Sequence, residues 1–184
     1  MRGAALLSIL VMSHTAAAGE LDVDAGLVAS TTAWPDDHGG GTSLDATWWF
    51  GGGWLGASFV GKEQYAQIDD RFLSYFSVNA AARKPLGKLR LAGRLGLVHQ
   101  HEEPRAALMA QPIESLFGVA DGTRHRMAAR TGAQLALPFA EHAHGDWYVA
   151  LDVDGTLFGD ADRGPRWMIG AGLSVGLRYD FEAR

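Results

Sequence analysis

The 184-residue chain contains no cysteine, so no disulfide can staple it and no thiol can carry a lipid anchor. No stretch reaches ~18 uninterrupted apolar residues, which excludes a membrane-spanning helix. Proline is scarce, at six residues, and basic side chains are outnumbered: 16 Lys and Arg face 21 Asp and Glu. The resulting net charge of −5 argues against a nucleic-acid partner. What the chain has instead is 24 glycines, six tryptophans and eight phenylalanines. Glycine-rich, aromatic-rich chains with strand patterning fit barrels better than helical bundles.

The first residues have the layout of a processing segment. Arg2 gives a short positive start, Ala4 to Met12 an apolar run, and Ala16-Ala17-Ala18 a small-residue cleavage site. A cleaved signal peptide is therefore expected over 1–18. The mature domain is expected over 19–184, starting at Gly19 or Glu20 and entering an oxidising space.

The strongest pattern is Trp167 to Phe181. Trp167, Ile169, Ala171, Leu173, Val175, Leu177, Tyr179 and Phe181 alternate with small or polar residues for fifteen positions. Period two over that length predicts a strand with one oily face, long enough to cross a bilayer at a tilt. Seven further alternating stretches precede it: Leu21 to about Trp34, Leu44–Phe50, Leu55–Val60, Phe72–Arg83, Leu89–Leu97, Met127–Leu137 and Trp147–Asp154. Between them lie loops at Pro35–Gly41, Lys62–Arg71, His99–Arg124 and Gly159–Arg166, and turns at Gly51–Gly53, Lys84–Lys88 and Pro138–Gly145. Long connections alternate with short ones. Eight strands with that rhythm predict an all-β, antiparallel up-and-down transmembrane barrel, its ends and short turns on the periplasmic side.

The polar faces collect Asp22, Asp24, Arg90, Arg94, Arg130, Asp152, Asp154 and Arg178, interleaved with glycines. Small residues and paired charges suit a lumen only wide enough for side chains. Arg130 is expected to meet Asp152 or Asp154, and Arg178 to meet Asp22 or Asp24. On the oily face, Trp48, Phe50, Phe72, Trp147, Trp167, Tyr179 and Phe181 sit near strand ends, as rings do at the two lipid–water boundaries. The opposite facing, a secreted or periplasmic lipocalin-like binder with the oily side inward, is the alternative.

The tail Ser174-x-Gly176-x-x-Tyr179-x-Phe181 resembles the C-terminal signal that hands outer-membrane proteins to the barrel-assembly machinery. With the leader, the eight strands and the loop rhythm, residues 20–181 resemble the small OmpA-like outer-membrane barrels. Glu182-Ala183-Arg184 departs from that family's usual aromatic end. The resemblance implies a barrel-only protein of the bacterial outer membrane, without a peptidoglycan-binding domain. Its implied partners are outer-membrane lipid, lipopolysaccharide and the assembly machinery.

Other constellations carry chemistry elsewhere. Val149-Ala150-Leu151-Asp152-Val153-Asp154-Gly155-Thr156-Leu157 is similar to the first motif of haloacid-dehalogenase-type phosphatases. Such a phosphatase needs a doubly wound parallel sheet after the motif, and only thirty residues follow Asp154. His99, His101, Glu102, Glu103 and His125 flank the longest loop, a donor set suited to zinc or copper but loosely spaced. His142 and His144 lie in a predicted turn. Ser74 and Ser115 lack a base that the pattern can place. No catalytic residue, cofactor or metal ligand is assigned, and whether the loop-base histidines bind a metal stays open. The expected function is that of an integral outer-membrane barrel with a filled lumen. It acts through its surface loops, chiefly Gln100–Thr123, or as an envelope structural component.

Overall fold

The computed structural model describes residues 19–51, 53–67, 70–116, 118–160 and 164–181. The predicted signal peptide at 1–18, and Glu182 to Arg184, lie outside them.

Eight strands close into one antiparallel barrel in chain order. They are β1 (Gly19–Thr32), β2 (His38–Phe50), β3 (Leu55–Ala66), β4 (Arg71–Leu86), β5 (Leu89–Pro104), β6 (Arg124–His142), β7 (Gly145–Phe158) and β8 (Trp167–Asp180). The β5–β6 connection carries two short helices, α1 (Arg105–Ala110) and α2 (Pro112–Leu116). β8 pairs back onto β1, with Asp22 opposite Arg178, so no strand edge is left open.

Alternation becomes facing. Asp22, Asp24, Asp45, Lys62, Asn79, Arg94, Arg130, Gln134 and Asp154 are buried inside, while Leu27 is 70% exposed, Leu95 66% and Leu173 69%. That is the reverse of a lipocalin-like binder, whose oily face points inward. The outside aromatics form two groups. Trp48, Phe50, Trp147, Tyr179 and Phe181 stand at the end holding the short turns, where Tyr179 and Phe181 rings lie 4.8 Å apart and Trp48 packs on Phe181. Phe72 and Trp167 stand at the other end, Phe72 against Tyr65 at 5.5 Å.

The strands run further than their apolar patterns. Gly39–Gly41 belong to β2 rather than to a loop, because Gly41 packs where any Cβ would strike the β3 backbone at Glu63. Lys62–Ala66 continue β3, and His99–Pro104 continue β5, so the longest loop begins at Arg105 rather than at His99. Pro138 stays within β6 at a register shift between Pro138 and Ala140, leaving 143–144 as the turn. At ~3.4 Å per residue, strands of 12 to 19 residues outreach the 9–11 a tilted crossing needs. Towards the long-loop end the outward row becomes polar at Glu63, His101 and Glu103 while the backbone goes on pairing.

Candidate functional site

The barrel interior is built in tiers. Nearest the short turns, Arg90 grips Asp146 with two hydrogen bonds of 2.9 Å each, and Arg178 joins the same carboxylate. Arg178 also reaches Glu20 at 3.3 Å. Beside them the Trp49 indole N–H donates to Asp22 at 2.7 Å, and the Arg83 guanidinium lies over the Trp49 ring while pairing Glu20 at 2.7 Å. Arg178 therefore does not pair with Asp22 or Asp24 as expected. Although Arg178 stands opposite Asp22 on the ladder, Asp22 is held by Trp49 and Arg83, and Asp24 by Tyr148 and Gln134.

In the middle tier Arg94 bridges Asp45 at 2.7 Å and Asp152 at 3.3 Å. The Tyr148 hydroxyl donates to Asp24 at 3.0 Å. Gly176 makes this possible, since a Cβ there would collide with the Tyr148 ring. Above it, Asp154 pairs with Lys62 and lies 3.6 Å from Arg130, which selects Asp154 over Asp152 as the Arg130 partner. Lys62 was missed from sequence because it stood in a supposed loop. Cavities of about 20 Å³ remain at two levels of the lumen, each with room for about one water. The charges are thus paired and the bore is plugged.

Towards the long loops comes an apolar layer of Leu73, Tyr75, Val98, Ala128, Phe158 and Met168. Glu102 sits above it, bonded to Arg126 at 3.1 Å and Arg124 at 2.8 Å. Arg126 has no exposed side-chain surface; it stacks on Phe158 and bonds Asp160 and the Pro165 carbonyl. Through Arg126, Asp160 and Pro165 at the two sides of the last connection are tied to β6.

On the outside of that end the 105–123 connection exposes Met109, Ile113 and Val119. At its root His99 and His101 on β5 meet His125 on β6, and one ligand nitrogen from each falls within 4.8 Å of the others. The phosphatase-like motif is part of β7 in an antiparallel barrel, and Asp152 and Asp154 face lumen cations rather than a crevice. The Ser74 hydroxyl donates to Glu63 at 2.8 Å, and the Ser115 hydroxyl is buried without a hydrogen-bond partner, so among the described residues neither is hydrogen-bonded to an imidazole. Of the tail residues, Ser174 hydrogen-bonds Asp152 at 3.4 Å inside, and Tyr179 and Phe181 point outward.

No family model and no curated protein matches the chain. Solved structures do. The attachment invasion locus protein Ail of Yersinia pestis, crystallised with the heparin analogue sucrose octasulfate, is 18% identical with a TM-score of 0.55 over 88% of this chain and 99% of that one. Neisserial surface protein A is 12% identical, TM-score 0.58, over 88% and 96%. The N-terminal β-barrel domain of Pseudomonas aeruginosa OprF is 18% identical, TM-score 0.51, over 88% and 99%. The fold is that of the small OmpA-like eight-stranded barrels of bacterial outer membranes.

Proposed function

We propose that the chain crosses a bacterial outer membrane as a non-conducting, non-enzymatic barrel and acts through what it holds at the surface, above all the 105–123 connection. One observation carries this. Leucines, valines and rings cover the outside while paired carboxylates, guanidiniums and an ammonium fill the inside. Only a hydrocarbon surround favours that arrangement, and open channels take about 16 strands. Exposed Met109, Ile113 and Val119 above the rim supply apolar surface for lipopolysaccharide or a surface partner. The tail Ser174, Gly176, Tyr179 and Phe181 serves as the assembly-machinery signal, after a leader at 1–18 is removed.

Fractionation tests the reading. The protein should pellet with outer membranes, migrate faster unheated than heated in detergent gels, and leave planar bilayers without discrete conductance steps. External protease on intact cells should cut within 105–123. Recovery in the soluble fraction without detergent would overturn it.

A further inference from the structure

The root of the long loop holds a cluster that the plugged barrel does not use. His99 and His101 lie on the outward row of β5, and His125 and Met127 on that of β6, with His101 opposite His125 and His99 opposite Met127. The three imidazoles pack ring to ring, centroids 4.6, 4.7 and 5.4 Å apart. His125 Nδ1 stands 3.3 Å from His99 Nε2. Two nitrogens bound ~2.0–2.1 Å from one tetrahedral ion stand about 3.3 Å apart. The other nitrogen of His99 lies 3.1 Å from the Met127 sulfur. That contact fixes the ring and turns Nε2 towards the cluster, as the outer partner of a metal-bound histidine does.

His101 is buried, and its Nδ1 has no hydrogen-bond partner. It is wedged between the Phe76 ring, 5.9 Å away, and Gly118 of the long loop, where a Cβ would strike the imidazole. Negative charge stands near. Glu103 follows on the same outward row of β5, buried with one carboxylate oxygen unpartnered, and Glu63 lies across β4 next to Ser74. His125 is exposed and His99 half-buried, so the cluster is open on one side.

We infer that His99, His101 and His125 form a binding site for one late first-row divalent ion, zinc or copper, at the outer rim of the barrel. Three neutral imidazoles are the donor set such ions take, with a fourth position left for water. The ion would join β5 to β6 and, through His101 against Gly118, brace the root of the loop.

The test uses the full chain without a polyhistidine tag, folded in detergent and stripped with chelator. It is titrated separately with Zn(II) by calorimetry and with Co(II) by visible absorption. One ion per chain and the intense visible bands of tetrahedral Co(II) are expected. His99→Ala and His125→Ala should each weaken binding by about tenfold or more, at least what loss of a mere outer partner costs. The His142→Ala/His144→Ala protein should bind normally. Each variant must keep its heat-shifted gel mobility, which separates loss of the site from loss of the fold. The inference does not depend on the surface role proposed above, so a failed fractionation leaves it standing. A stoichiometry below one half, octahedral Co(II) spectra, or equal binding by a folded His99→Ala/His125→Ala protein would overturn it.

Discussion

At the scale of single residues, the lumen turns on who holds each carboxylate. Asp154 has two cations, but Lys62 bonds it directly while Arg130 stands off at 3.6 Å. Double-mutant cycles in refolded protein should therefore give Lys62–Asp154 the larger coupling, within the 0.5–3 kcal/mol range of contacting pairs, and Arg130–Asp154 the smaller. A reversed order in urea titrations would contradict the tiering. Outside, Leu95→Arg puts a guanidinium among acyl chains and should cost about 2–4 kcal/mol at mid-depth. An unchanged unfolding midpoint would place Leu95 away from lipid. Gly176→Ala forces a methyl into the Tyr148 ring and should cost about 1–3 kcal/mol. Part of that cost should disappear when Tyr148 is already Ala, and the rest should stay, because the methyl still meets the Asp24 Cβ. If Gly176 matters only to the assembly machinery, its replacement leaves stability in purified detergent unchanged, so the cycle separates the two roles.

At the scale of elements, the strands run on past their apolar rows. Arg126 joins β6 to the 159–166 connection and to Glu102 of β5. Arg126→Gln should hasten proteolysis between Gly159 and Arg166 while the barrel keeps its gel shift; equal cleavage rates would show that the connection is held by something else. The apolar stretch of β8 was plain in the sequence, because its outward row is hydrophobic almost from end to end. The ends of β3 and β5 were not. Beyond the apolar band Glu63, His101 and Glu103 take outward places, alternation fades, and only backbone pairing continues. Gly39–Gly41 mimic a loop for a different reason, since at Gly39 and Gly41 the β3 backbone stands too close for a side chain. The lumen residues were legible as a set, but not Arg178's choice of Glu20 and Asp146. Long side chains in a narrow bore reach partners up and down the axis that a ladder of opposite residues does not reveal. The histidine cluster was visible only as nearby letters; the register of β5 on β6 brought its rings together.

At the scale of the whole molecule, everything follows from one inversion: a plugged polar interior inside an apolar sleeve with rings at both rims. The chain has no cysteine of its own, so single replacements give unique attachment points for a spin label. Labels at Leu95→Cys, Leu151→Cys and Leu173→Cys in liposome-inserted protein, probed by molecular oxygen and by a water-soluble nickel complex, test that inversion most directly. High oxygen and low nickel accessibility at all three sites is the predicted result. Nickel reaching those positions as freely as it reaches a label at Met109→Cys on the loop would contradict it.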